Sequence, residues 1–307
     1  MERRYNPLKL DGSDRLLQPL QLMMAGLRKW DKPTKKKLPV EVDVVELLCN
    51  LGQLPTASTK DAVVGDWSLI AFYYLLRIGE YSEKDARQES KQTVEFRIKD
   101  VTFFEFDAKG RLRQMPRNAS DERIGRAAGA TLRLSNQKNG WKNACIFHFH
   151  NGDDITSPTR ALGRRYCHIR AHSSDKDEKL SAYFVRGVRY HLKAGMISNA
   201  LKAAAGALKY ETRGIPIEDI DTHSLRAGGA NALSLNGYSD REIQKMGRWR
   251  GETFKEYIRE GLSTFSKGMS HAMKKSFQFV NVHGGVDADV NDVTNDMVRA
   301  PYEVMAH

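Results

Sequence analysis

One change of hydrophobic pattern constrains the fold of this chain most. Apolar and polar side chains alternate over residues 94–98 and 101–106 as in half-buried strands, and the strand-like segments 131–134 and 144–147 enclose Asn139-Gly140. Asn-Gly is a strong short-range signal for a hairpin turn. On both sides of this region apolar residues recur at helical spacing. The chain is therefore expected to be α+β and mainly α-helical, with a small antiparallel β-sheet or hairpin on one side.

Helical periodicity also predicts where the helices lie. Residues 14–30 form one amphipathic segment, which Pro19 weakens in its early part. Two further helices are expected around 44–51 and over 63–79. The later helices are expected at residues 158–171, 180–194, 198–209, 224–236, 240–246 and 252–260.

Two segments are expected to lie outside the packed domain. Residues 31–39 are lysine-rich and bounded by prolines, which is typical of a linker, and they either form a solvated surface or contact a phosphate backbone. Residues 281–307 are rich in Gly, Asp and Asn without a period, so disorder is expected there. The stretch 39–280 then remains as one domain.

The charge balance points to an anionic partner. Lys and Arg number 49 against 38 Asp and Glu, a formal net charge of +11. Nucleic acid is the first expectation and a membrane surface the second, although charge alone equally fits a soluble basic protein. No apolar run is long enough for a secretory signal or a bilayer span. A reducing intracellular compartment is expected, because no CxxC pair occurs among the cysteines Cys49, Cys145 and Cys167.

Four side chains between residues 222 and 259 supply parts for phosphoryl chemistry. His223 and Arg226 lie one helical turn apart, and Trp249 and Tyr257 follow. A proton acceptor, a phosphate-binding cation, an indole donor and a phenolic nucleophile suit metal-free phosphodiester cleavage. Taken singly, each of these residues is more often structural than catalytic.

Neither a metal nor a cofactor is expected. His148 and His150 alternate on one strand face, but no third ligand lies nearby. Asp287-x-Asp289 resembles a calcium loop that lacks its glycine and its closing glutamate. No nucleotide-binding loop is present in the sequence.

Two upstream cations extend the set. Arg77 ends the apolar helix predicted over 63–79, where it needs either Glu80 or an anionic ligand as partner. Lys138 directly precedes the predicted hairpin turn, which projects it outward as a candidate proton donor. Lys142, just after the turn, is the competing candidate.

Taken in order, these residues resemble the catalytic set of the tyrosine recombinases, the phage-integrase family. The matching residues are Arg77, Lys138, His223, Arg226, Trp249 and Tyr257. The local motifs resemble the family's boxes as well, at residues 76–80, 223–229, 246–249 and 257–259. The resemblance covers roughly residues 39–280 and implies a tyrosine-recombinase-like catalytic domain. The tripeptides Gly247-Arg248-Trp249 and Tyr257-Ile258-Arg259 further resemble those of the eukaryotic transposon recombinases called cryptons.

The resemblance implies a mechanism for site-specific DNA breaking and rejoining, as in integration or transposition. Tyr257 attacks the scissile phosphate and forms a 3′-phosphotyrosine intermediate, without metal or ATP. Arg77 and Arg226 hold the non-bridging oxygens, and His223 acts as general base. Lys138 acts as general acid, and Trp249 donates a hydrogen bond.

Two features depart from the family's pattern. The interval from Trp249 to Tyr257 is one residue shorter than the commonest one. Residues 1–38 match only a remnant of the family's core-binding domain, namely one helix and the basic linker. Two alternatives therefore stay open: a catalytically inactive or domesticated DNA-binding remnant of a transposon recombinase, and DNA relaxation like that of a type IB topoisomerase.

Double-stranded DNA is the expected partner, and no membrane is expected. The residues expected to contact DNA are Lys35, Lys36, Lys37, Lys142, Arg248 and Arg250. The resemblance implies a homo-oligomer on DNA, and the amphipathic segment 262–280 either passes between protomers or packs on its own domain. An intracellular location is expected: the nucleus in a eukaryote, the cytoplasm or nucleoid in a bacterium or phage.

Overall fold

The computed structural model describes residues 17–28, 37–83, 93–135 and 143–249, together with Gly251 and Lys255. The division of the chain at 38 and 280 is not tested by the structure, and residues 281–307 lie outside the described part.

About half of the described chain is helical, and helices are its main regular elements, as predicted. The helices are α1 Gln18–Arg28, α2 Val42–Gly52, α3 Thr59–Tyr73, α4 Ile78–Tyr81, α5 Asp121–Gly125, α6 Pro158–His172, α7 Ala194–Ala207, α8 Thr222–Leu235 and α9 Asp240–Gly247. Polar side chains fix several of their first turns: Ser58 and Ser239 each accept a hydrogen bond from a backbone N–H three residues on. The helix expected at 252–260 lies outside the described residues.

A small antiparallel sheet lies among the helices, as the alternating pattern predicted. Its strands are β1 Val101–Phe106, β2 Leu112–Gln114, β3 Gly129–Leu134 and β4 Ala144–Phe149, in the order β2-β1-β3-β4. Leu134 pairs with Ala144 at the end of the β3–β4 ladder. This register confirms the predicted hairpin strands, while residues 136–142, which hold the Asn139-Gly140 turn, lie outside the described part.

The prediction of a helix over 180–194 is wrong. Strands β5 Ala182–Val185 and β6 Val188–His191 form a second hairpin there. Arg186 and Gly187 connect them with φ angles of 50° and 79°. Two central residues with positive φ match the twist of a hairpin, and the β-branched and aromatic residues on both sides favour strands.

Helix α3 lies at the centre of the core. Its residues from Val63 to Phe72 are buried, and Trp67 stacks on Tyr81 and donates a hydrogen bond to the Leu180 carbonyl at 3.3 Å.

No helix in the described part of the chain is long and apolar enough to cross a membrane. The compartment of the protein therefore stays a prediction.

The helix predicted over 63–79 is interrupted. α3 ends at Tyr73, Leu75 has a left-handed φ of 48°, and Arg77 caps the separate short helix α4. The sheet fixes this break, because the Tyr74 hydroxyl donates to the Ala130 carbonyl at 3.0 Å and His148 Nε2 lies 2.8 Å from the Tyr73 carbonyl oxygen. The backbone is thereby turned so that the carbonyl of Leu75 is available to side chains from α8 and from the end of α9.

Glycines let α8 approach this break closely. A Cβ at Gly228 would lie 2.0 Å from the Val40 carbonyl oxygen, and one at Gly229 would lie 2.2 Å from the Phe72 carbonyl oxygen. Both contacts involve backbone atoms, which cannot move aside as a side-chain end can. The Gly-Gly pair after Arg226 therefore has a packing role in the contact between α3 and α8.

We expect Gly229→Ala to lower the free energy of unfolding by about 1–3 kcal/mol, because the added methyl group overpacks the α3–α8 contact. Urea denaturation measures this loss. Gly195→Ala in α7 is the matched control, since nothing lies within 4 Å of its added Cβ; there we expect no loss or a slight gain. Equal stability of the two variants would contradict the packing role.

Candidate active site

Arg226 is held inside the protein at the junction of α3, α8 and α9. Its side chain is buried at 4% exposure. The two terminal nitrogens donate hydrogen bonds to the carbonyls of Leu75 and Gly247, and the guanidinium carbon lies 4.1 Å from the centroid of the Trp249 ring. Two carbonyls and one aromatic face therefore set the orientation of the guanidinium plane.

Trp249 supports Arg226 with its ring face. It packs against Leu75, Ala230 and Ile243. Gly247 makes this packing possible, since a Cβ there would lie 1.5 Å from Trp249 Cζ3. The structure thus brings Trp249 to the predicted site, while its hydrogen bond to a phosphate oxygen stays a prediction.

Arg77 lies next to this junction with its side chain 25% exposed. Its backbone N–H donates to Glu80 Oε2 at 3.1 Å, and its Nη1 lies 3.5 Å from Glu80 Oε1. Glu80 is the acidic partner considered from the sequence. Because this ion pair is long and the Arg77 side chain reaches solvent, the guanidinium can bind an anion on its solvent side while it stays paired with Glu80.

The position of Arg248 in the structure corrects the prediction that this residue contacts DNA. Its side chain is 2% exposed and its guanidinium points inward. Nη1 donates to the Tyr74 carbonyl at 3.1 Å, and Nη2 donates to the Leu75 carbonyl at 3.1 Å and to Glu80 Oε2 at 2.9 Å. Because the charge of Arg248 is paired with the buried Glu80 carboxylate, this guanidinium serves the interior and not a DNA surface.

His223 lies at the solvent-exposed start of α8, with 63% of its side chain exposed. Asp221 caps the helix by accepting the His223 backbone N–H at 2.7 Å, and its Oδ1 also lies 3.5 Å from His223 Nδ1. The hydrogen bond to Asp221 raises the pKa of His223, while partial desolvation of the ring and the charges of Arg226 and Lys37 oppose the rise. The carboxylate at Nδ1 favours Nε2 as the nitrogen that exchanges a proton with a ligand.

Lys37 was predicted to contact DNA and lies beside the same helix start. Its Nζ donates to the Glu218 carbonyl at 3.1 Å and lies 3.9 Å from Asp221 Oδ2. The DNA contact itself is not tested. The other predicted site residues lie outside the described part of the chain: Lys35, Lys36, Lys138, Lys142, Arg250 and Tyr257.

The arrangement is suited to binding an oxyanion. Arg226 and Arg248 both donate to the Leu75 carbonyl, and Arg77 and Arg248 both pair with Glu80, so three guanidinium groups are linked through these two acceptors. The first turn of α8 adds the positive end of a helix dipole. One contributor was not predicted from the sequence: Asp221, whose signal is an N-capping acid two residues before a histidine. Arg248 was predicted in another role, because no local signal distinguishes a buried arginine.

Metal ligation has no support in the described ranges. No group of three or more His, Cys, Asp or Glu side chains there is placed to hold a metal. His148 is bonded to the Tyr73 carbonyl oxygen, and burial lowers its pKa to about 4. Cys49, Cys145 and Cys167 are free thiols.

Comparison with solved structures finds similarity to recombinases and an integrase. The XerA recombinase aligns with a TM-score of 0.42 and 13% identity over 84% of this chain and 74% of that one. The Tn1549 transposon integrase, in complex with a circular intermediate DNA, aligns at 0.40 and 11% over 79% and 68%. The XerH site-specific recombinase, bound to its difH substrate, aligns at 0.43 and 13% over 78% and 53%. No family model matches the sequence, and no curated protein matches it significantly.

These similarities concern the fold. The likeness to cryptons stays a prediction, as do the catalytic roles of the individual residues.

Proposed function

We propose that this protein cleaves and rejoins DNA strands through a covalent link between Tyr257 and a DNA 3′-phosphate. The observation that carries the proposal is that Arg226, one helical turn after His223 in α8, donates to the Leu75 carbonyl two residues before Arg77, while Asp221 orients the His223 imidazole. Two cations for a phosphate and an oriented proton acceptor are what a phenolic nucleophile needs to attack a phosphodiester.

The proposed steps balance without metal or ATP. The Tyr257 hydroxyl gives its proton to His223 while its oxygen bonds to phosphorus. The bond from phosphorus to the 5′ oxygen breaks, and Lys138, or Lys142 in its place, protonates that oxygen. Arg77 and Arg226 stabilise the charge that builds on the non-bridging oxygens. Reversal of the same steps reseals the strand.

We further propose double-stranded DNA as the substrate and a homo-oligomer as the form that acts on it. The net charge of +11 supports an anionic partner. Lys35, Lys36, Lys37, Lys142 and Arg250 remain proposed DNA contacts. Arg248 is not among them, because its guanidinium is buried and paired with Glu80.

Trapping of the covalent intermediate tests the proposal. The probe is a pool of duplexes with randomised sequence around a nick, built so that cleavage releases a short fragment that diffuses away and prevents resealing. We expect a protein–DNA adduct on a denaturing gel, joined to the 3′ end and formed equally in EDTA. Binding without any adduct across the pool would contradict strand cleavage and favour the alternative of a non-catalytic DNA-binding protein.

The adduct-forming rate should depend on pH through His223. Because Asp221 raises the pKa of His223, the imidazole stays protonated to higher pH and accepts a proton only above that raised pKa. We expect the single-turnover rate to rise with pH through this range. Asp221→Asn removes the negative charge but keeps a good helix cap, so the rise should move to lower pH.

Rates measured from pH 5 to 9 show the shift. Glu218→Gln is the matched control, because it makes the same charge change at an exposed site nearby and should leave the profile in place. An unchanged profile for Asp221→Asn would remove His223 from the role of general base.

A further inference from the structure

Arg248 occupies a backbone position that favours glycine. It follows the last residue of α9 with a φ of 61°, in the left-handed region. An arginine in this left-handed conformation is disfavoured unless favourable contacts of its side chain offset the conformational cost. Its guanidinium is among the few charged groups that are almost fully buried in the described residues.

The groups that Arg248 binds are those that fix the two proposed phosphate-binding arginines. Its Nη2 donates to the Leu75 carbonyl at 3.1 Å, the same oxygen to which Arg226 donates. The same nitrogen lies 2.9 Å from Glu80 Oε2, which also accepts the Arg77 backbone N–H at 3.1 Å. Arg248 therefore shares one partner with Arg226 and another with Arg77.

We propose that Arg248 is a positioning residue, whose buried guanidinium fixes the Leu75 carbonyl and the Glu80 carboxylate so that Arg77 and Arg226 bind one phosphate group. This inference rests on the proposed function. Arg248 does not touch the phosphate; it acts through the two carbonyls of the break after α3 and through Glu80.

Arginine suits this position for a geometric reason. Its planar fork binds three acceptors in fixed directions, namely two adjacent carbonyls and one carboxylate. A lysine has a single ammonium group and cannot hold all three in the same plane. Burial lowers the pKa of Arg248 while the charge of Glu80 opposes that effect, so a lysine, with its lower intrinsic pKa, is less suited to remain charged here.

The first arm of the test measures inorganic phosphate binding by NMR titration at low ionic strength. Wild type is compared with Arg248→Met and with the control Arg241→Met, an exposed arginine of α9. We expect Arg248→Met to raise the dissociation constant ~10-fold or more, as the loss of oriented charged hydrogen bonds predicts, and Arg241→Met to leave it unchanged. If Arg248→Met does not fold, Arg248→Lys takes its place, with a weakened phosphate affinity expected.

The second arm separates catalysis from binding on a duplex sequence recovered from the adduct pool. At saturating DNA we expect Arg248→Met to lower the cleavage rate constant ~100-fold, because small misplacements of catalytic groups have effects of that size. The dissociation constant for DNA should stay unchanged. A methylphosphonate at the scissile position carries less charge for the arginines to stabilise, so the deficit should shrink there; a general loss of folding would not depend on that charge.

Phosphate affinity and cleavage rate equal to those of wild type in a folded Arg248 variant would overturn the proposal, and so would a deficit of the same size on both substrates. Absence of phosphate binding in the wild type would overturn it as well. A wild type that binds phosphate but forms no adduct would instead contradict the proposed function alone, and the first arm would then decide the role of Arg248.

Discussion

Replacing Tyr257 with phenylalanine is expected to abolish the covalent adduct while leaving DNA binding unchanged. The substitution removes one hydroxyl oxygen, which is the atom proposed to bond to phosphorus, and no other side chain is proposed as nucleophile. The loss should therefore be complete at the sensitivity of a radiolabelled gel. DNA affinity, measured at a fixed salt concentration, should match that of the wild type, because one uncharged hydroxyl contributes little to phosphate-backbone binding.

Tyr238→Phe is the matched control for this experiment. Tyr238 is an exposed tyrosine between α8 and α9, and the same removal of a hydroxyl there should leave adduct formation intact. An adduct that persists in Tyr257→Phe would show that another residue is the nucleophile, and mapping the DNA-linked peptide would identify it.

Arg226→Lys is expected to lower the cleavage rate ~100- to 1000-fold, the usual effect of losing one donor to a developing oxyanion. The positive charge is retained, but the ammonium cannot donate to the Leu75 and Gly247 carbonyls and lie flat on Trp249 while it also binds a phosphate oxygen. The loss should fall on the rate constant at saturating DNA more than on affinity.

Arg213→Lys provides the comparison for this change. Arg213 also lies over an aromatic ring, 4.6 Å from the Tyr210 centroid, and it pairs with Glu41 at the surface. Its replacement should leave the rate within about twofold, since exposed ion pairs contribute little. A rate for Arg226→Lys equal to that of the wild type would exclude Arg226 from phosphate binding.

The parts of the fold that the sequence predicted well are those with local causes. The hairpin strands at 131–134 and 144–147 follow from alternation, and α9 follows from the Ser239–Glu242 capping box. The hairpin at 182–191 was not predicted, because the spacing of apolar residues in a short strand pair resembles that of a helix. Its two-residue Arg-Gly turn was the available signal.

The break after α3 had no local signal. Leu75 is a strong helix former, and neither glycine nor proline marks the end of the helix. What stabilises its left-handed backbone is distant in sequence: two guanidinium groups that converge on its carbonyl. Tertiary contacts override helix propensity here.

The residues of the candidate site likewise divide into those with a local sequence signal and those whose role only the fold shows. The one-turn spacing of His223 and Arg226 was visible in the sequence, and both residues lie in α8, which begins at Thr222, two residues before the predicted start. The inward orientation of the Arg248 guanidinium was not visible in the sequence, since the sequence around an exposed arginine and that around a buried one can be alike. Only the fold shows that Glu80 lies between Arg77 and Arg248.

The carbonyl of Leu75 is one acceptor used by two arginines, and this has a consequence for how the chain can vary. Loss of either guanidinium changes what the other one binds, so the free-energy effects of substitutions at 226 and 248 should not add. Evolutionary change without loss of function then requires positions 226 and 248 to change together with the backbone around Leu75. Among natural variants of this chain, we expect these two arginines to be kept or lost as a pair.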